Sequence, residues 1–254
     1  MNARTDCTLT LGQLAATRAG AIPVFERYGL DYCCGGGRTL REACAAAELS
    51  PDAVVQAIHD EEQEHRGIPR ERPWTDATMT ELADHIERTH HAFVRDALAR
   101  LANIMPRVVA AHGKSNPALA ELAAVYGQFA EEMRDHMVRE ERVLFPWLRR
   151  LERPTEVQSG PPWSVRRPIS CMVHDHDDAG AALARMRELT GNYTPPEGAC
   201  ATYRSMLSTL EALERDTHEH IHKENNILFP AGVRAEDEVA ARAAARAGGK
   251  GAST

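Results

Sequence analysis

The chain has 254 residues, enough for one large domain or two smaller ones, and its 43% hydrophobic content is that of a folded protein rather than a disordered tail. Aromatic residues make up only 5%, so leucine, alanine, valine and methionine must fill the core, a composition suited to packed helices. The formal net charge of −7 excludes the basic footprint a nucleic-acid partner needs, and no stretch approaches the roughly 18–20 apolar residues of a membrane span. Met1 to Cys7 lacks the apolar run of a secretory signal, so a cytoplasmic location is expected. Six cysteines, at 7, 33, 34, 44, 171 and 200, follow no regular framework and read as thiols.

In chain order, residues 1–66 carry short helix signals. Thr10 to Gln13 and Thr39 to Glu42 are capping boxes, and Ser50-Pro51 places an N-cap before a proline at the first helical position. Three or four short helices are expected there. The Gly67 to Pro73 stretch, with glycine and two prolines, breaks the periodicity, so 67–77 reads as a linker.

Over 78–234 the signals space out. Thr78 to Glu81 opens a helix running toward Pro106 or past it with a kink, and Asn116-Pro117 opens one to about Arg150. Pro168, after a proline-rich loop at 154–162, opens a third that stops near Gly191, and Thr194 to Glu197 opens the last. The short connections favour antiparallel neighbours, giving an all-α chain: a small N-terminal helical domain followed by an up-down four-helix bundle with one longer middle crossover. The Ala/Arg/Gly-rich stretch 235–254 is expected to be a frayed low-complexity tail.

Two segments of the bundle are near copies, His136-Met-Val-Arg-Glu140-Glu-Arg-Val-Leu-Phe-Pro146 and His220-Ile-His-Lys-Glu224-Asn-Asn-Ile-Leu-Phe-Pro230. Each offers an imidazole and a carboxylate four residues apart, hence one turn apart on one helix face. A duplicated bundle also calls for one ligand on the helix preceding each copy, and His91 and His176 lie at matching places. The set closes at six: His91, His136, Glu140, His176, His220 and Glu224. Imidazole and carboxylate without thiolate favour iron, manganese or zinc, and bridging carboxylates in a helical bundle favour redox-active iron, with manganese the alternative. Histidines outnumber carboxylates and the spacing is His-x3-Glu, a hemerythrin-like pattern. Two such ions would keep open positions for O2, NO or peroxide.

His90 and His174 compete for neighbouring ligand places. His218 and His222 are expected to face solvent, Glu131, Glu132 and Asp175 are candidates to support the ligands, and the two Phe-Pro pairs are expected to pack and kink the helix ends. Cys33 and Cys34 precede the Thr39 capping box by a few residues, where a helix N-terminus favours the thiolate, so a reactive thiol pair is expected; two small buried residues beside a glycine turn is the alternative.

The run Asp31-Tyr-Cys-Cys-Gly-Gly-Gly-Arg-Thr-Leu-Arg-Glu-Ala-Cys44 closely resembles the N-terminal domain of the iron-sulfur cluster repair proteins, the RIC family, and His174 to Gly180 with Glu224 to Pro230 resembles its hemerythrin-like domain. The resemblance implies two non-haem iron ions on the same six residues, bridged by Glu140 and Glu224 and by an oxo or hydroxo group. It also implies NO or O2 as small ligand, iron-sulfur proteins as clients, and a role under nitrosative or oxidative stress. A cytosolic protein that binds or reduces NO, linked to denitrification, and an O2 or NO sensor remain alternatives. No nucleic-acid or membrane partner is expected, and a homodimer is compatible with the sequence.

Overall fold

In a computed structural model of the protein the described residues are 7–65, 72–153 and 164–249. Residues 1–6, the first part of the expected linker (67–71), the proline-rich loop and the last five residues lie outside them.

Among the described residues the N-terminal domain holds four helices, α1 (Leu11–Thr17), α2 (Ala21–Tyr28), α3 (Leu40–Ala46) and α4 (Pro51–Glu64). Their starts follow the caps in the sequence. The Thr10 hydroxyl accepts the Gln13 N–H while the Gln13 side chain accepts the Thr10 N–H, and Thr39 and Glu42 repeat the exchange. Ser50 accepts from Ala53, with Pro51 in the first turn. A side-chain cap of this kind contributes about 1 kcal/mol. Leu11, Leu14, Phe25, Leu40, Val54 and Ile58 close a core of their own.

Four helical rods follow. The first joins α5 (Met79–His85) to α6 (Ala92–His112), the second α7 (Ala118–Arg139) to α8 (Phe145–Leu151), the third is α9 (Arg166–Leu189), and the fourth joins α10 (Ala201–Lys223) to α11 (Phe229–Gly249). Cross-helix pairs give their directions. His91 meets Glu141 and the Tyr126 hydroxyl donates to the Leu98 carbonyl, so α6 and the second rod are antiparallel. Asp175 with His136 and Arg185 with Glu121 set α9 against α7, while His90 with Asp216 and Arg100 with Ser205 set α10 against α6. The result is the expected up-down bundle. Val94, Leu98, Leu101, Phe129, Leu183 and Leu210 lie in its apolar core.

By contact the chain forms two compact units: the described parts of Met1–Ala83, Trp147–Ile169 and Ile221–Thr254, and Asp84–Pro146 with Ser170–His220. The N-terminal helices thus group with the end of the fourth rod.

Two boundaries also differ from the sequence reading. The fourth rod starts at Ala201 rather than near Thr194, because consecutive Pro195 and Pro196 disfavour helix before them and Gly198 takes a left-handed φ of 76°. The segment after Ala235 is helical to Gly249 rather than frayed. Alanine and arginine are strong helix formers, and Glu236 and Asp237 are held by Ser164, the Val165 N–H and Arg166. Among the described residues no helix is long and apolar enough to cross a membrane.

Candidate metal centre

Three of the rods contain a π-helical turn: Ile86–His91, Glu140–Leu144 and Glu224–Leu228. In the last two the Phe145 and Phe229 N–H groups reach back five residues, to the Glu140 and Glu224 carbonyls. The cause lies one residue on. Pro146 and Pro230 have no N–H, and their rings would strike the carbonyl four residues back, so the helix widens by one residue just before them. The repeated Leu-Phe-Pro thus sets a wide turn directly after each inward glutamate. The first π turn contains no proline and brings two adjacent histidines, His90 and His91, both into the interior.

The six residues singled out by spacing come together. His91, Glu140, His220 and Glu224 form one group whose donor atoms lie within 4.8 Å of one another, and His136, Glu140, His176 and Glu224 form another. Glu140 and Glu224 belong to both. All six are buried, the two glutamates at 0% exposure. Nε2 of His91 is 3.2 Å from Nε2 of His220, and Nε2 of His176 is 3.2 Å from Nε2 of His136. Oε2 of Glu140 stands 3.3 Å from Nε2 of both His91 and His136.

The chemistry of these contacts fits a cation. Nδ1 of His91 meets Oε1 of Glu141 at 2.7 Å, and Nδ1 of His136 meets Oδ2 of Asp175 at 3.2 Å. A carboxylate there takes the Nδ1–H and leaves a bare lone pair on Nε2. Each of these two lone pairs faces a second imidazole nitrogen at 3.2 Å, on His220 and His176, and a metal with M–N near 2.1 Å holds neighbouring nitrogens at about that spacing, roughly 3.0–3.4 Å apart. Arg95 on Glu141 and Arg139 on Asp175 keep the supporting carboxylates ionised. Burial alone would raise the Glu141 carboxyl, but hydrogen bonds from Arg95 and His91 outweigh it and hold it below the usual range. The bond with His136 lowers Asp175.

Residues 82–231 match the Hemerythrin HHE cation binding domain, and residues 8–62 match the ScdA N-terminal domain, described as a Domain of Unknown function (DUF542). The Iron-sulfur cluster repair protein YtfE of Citrobacter koseri is 34% identical over 226 residues, which cover 89% of this chain and 97% of the relative. Those of Musicola paradisiaca and Escherichia coli O81 are 33% and 34% identical over the same shares of each chain. The chain belongs to the iron-sulfur cluster repair family. A hemerythrin-type bundle binds iron, and within this family member the two buried His/Glu groups are the candidate place for it.

The rival histidines separate by geometry. His174 is exposed at 77% of its side chain and faces Asp178, while His176 lies inside. His90 is buried but turns Nδ1 to Asp216 at 3.0 Å and stacks on His220, outside both groups of donors. His222 overturns the expectation of a solvent position: it is 3% exposed, lies edge-on to Tyr32 and meets the Asn226 amide at 3.1 Å. Burial pushes it down to about 4, so it is neutral. Helix geometry alone missed this because the surface that covers His222 comes from the N-terminal domain. Asp175 was singled out by sequence and Glu141 was missed, although its place directly after Glu140, on the copied segment, was the available signal.

Cys33 is buried and Cys34 half-buried. The thiolate expected at Cys33 is not favoured. Contact with Cys34, burial and the Asp31 carboxylate all push the Cys33 thiol far above its usual range, and α3 begins only at Leu40, too far for a dipole effect confined to the first turn.

Proposed function

We propose that this chain is a di-iron repair protein in which His91 and His220 hold one iron, His136 and His176 the other, and Glu140 and Glu224 bridge them. The observation that carries this is the sharing of both buried carboxylates between two His-containing groups. Bound there, the two ions supply open positions for NO or O2 and one electron each. The protein holds His91 and His136 in one tautomer through Glu141 and Asp175 and keeps the bridging carboxylates buried. A cleft of about 180 Å³ lined by Phe129, Met133, His136, Asp175 and Asp178 opens on the side of His136 that Asp175 supports.

The relatives' name, iron-sulfur cluster repair protein, supports clients with iron-sulfur clusters, damaged under nitrosative or oxidative stress. The test is to inactivate an iron-sulfur enzyme with NO and incubate it with the iron-loaded protein and a reductant. Activity should return faster than with an equal amount of ferrous salt and thiol. Recovery no better than that control would contradict the repair role. Sustained nitrous oxide production without recovery would point to NO reduction instead.

A further inference from the structure

Outside the bundle one more cluster of metal-ligating side chains stands among the described residues: Asp31, Cys33 and Cys34, with donor atoms within 4.8 Å of one another. Cys33 Sγ and Cys34 Sγ are 3.9 Å apart. That is far beyond the roughly 2.05 Å of a disulfide. It matches the edge of a tetrahedral site, where two sulfurs at about 2.3 Å from the ion stand about 3.8 Å apart. Oδ1 of Asp31 is 3.2 Å from Cys33 Sγ, close to the roughly 3.5 Å expected between a thiolate and a carboxylate oxygen on the same ion.

The loop is set in this form before any ligand arrives. Asp31 accepts the N–H groups of Cys33 (3.1 Å), Cys34 (3.0 Å) and Gly35 (2.9 Å), which fixes its carboxylate beside the sulfurs. The Asn226 amide donates to the carbonyls of Tyr32 (3.1 Å) and Cys33 (3.3 Å), anchoring the loop on the π turn of the fourth rod. Gly12 and Gly36 are required here, since a Cβ at either would collide with the Asn226 side-chain oxygen.

We propose that Asp31, Cys33 and Cys34 form a second metal site, one that takes a thiophilic divalent cation such as Fe2+, Zn2+ or Cd2+. As two S–metal bonds form, the two S–H protons leave to solvent. The position on Oδ1 that the Cys33 S–H occupies becomes available to the ion, and no electron is transferred. Two sulfurs and one oxygen favour these cations over Mg2+ or Ca2+. Three protein donors leave a fourth place open, unlike the closed four-ligand sites that staple a fold. The same features that resist a bare thiolate, two sulfurs crowded beside a carboxylate, become attractions once a cation sits among them.

This site does not depend on the repair reading, and Cd2+ is a suitable probe because imidazole and carboxylate cannot give the ultraviolet charge-transfer band of a thiolate–cadmium bond. One equivalent added to the full-length, iron-loaded, reduced protein should produce that band, and cadmium-edge X-ray absorption should show two sulfur neighbours. Cys33→Ser and Cys34→Ser should each weaken binding about 10–100-fold while the iron spectrum of the bundle stays unchanged. In the unmutated protein Cd2+ should protect Cys33 and Cys34 from alkylation, and leave the exposed Cys171 and Cys200 as reactive as before. Cadmium without sulfur neighbours, equal binding by the double serine variant, or protection confined to other cysteines would each overturn the proposal.

Discussion

The two copies of the His-x3-Glu segment share their helix, their inward glutamate, their π turn and their Leu-Phe-Pro, and part ways at the two residues after the glutamate. In the first copy these are Glu141 and Arg142. Glu141 turns to Nδ1 of His91, one of the proposed ligands, and to Arg95. In the second they are Asn225 and Asn226, and both amides face the Cys33 carbonyl. A charged residue supports an imidazole where the partner is a ligand, and a neutral amide anchors a loop where the partner is a backbone carbonyl. What the copies share is the buried His/Glu donor pair, and what differs is the neighbour each must hold.

The largest expected effect breaks what is shared. Glu140→Ala and Glu224→Ala should each lower bound iron from two per chain to below one, since neither buried bridge has a substitute; full iron in both variants, counted by elemental analysis, would remove the bridging assignment. Next comes the charged support of the first copy. Glu141→Ala should weaken iron binding about 10–100-fold with the helical content unchanged, measured by chelator competition. The anchor of the second copy should behave in the opposite way. Asn226→Leu removes two hydrogen bonds to backbone carbonyls and should cost the N-terminal domain about 1–3 kcal/mol in denaturant unfolding, with the iron count intact. Arg142→Ala, at the exposed matching position, should stay within about 0.5 kcal/mol. Equal effects of the last two changes would erase the distinction between the copies.

A smaller effect separates the thiols. Cys200 lies just before α10, with Nε2 of His112 3.4 Å from its sulfur, and N–H groups at the helix start, chiefly that of Tyr203, then His112, bring it down to about 7, the reverse of Cys33. Its alkylation rate should therefore rise with pH through about 7, as the thiolate forms, and His112→Ala should move the midpoint upward. A midpoint near the ordinary thiol value in the unmutated protein would contradict this contact.

Much of this was legible in the sequence because it is local. Capping boxes at Thr10 and Thr39 start their helices, and the four-residue spacing of His136 with Glu140 and His220 with Glu224 places the donors on one face. The choice of His176 over His174 followed from duplication. What was not legible depends on surfaces that meet across the chain. His222 is apolar in its setting only because Tyr32 covers it, Cys33 is held as a thiol by Asp31 and Cys34 in a loop whose shape sequence does not state, and the extended last helix rests on Glu236 and Asp237 meeting residues around Val165. The π turns fall between these cases: the prolines announced a kink, and only the carbonyl partners of Phe145 and Phe229 showed that the helix widens rather than breaks.

The most direct test of the central claim is anomalous diffraction at the iron edge from crystals of the iron-loaded protein. Two peaks are expected, one beside Nε2 of His91 and His220 and one beside Nε2 of His136 and His176, with the carboxylates of Glu140 and Glu224 reaching both. A single peak, or a peak coordinated by His90 or His174, would contradict the account.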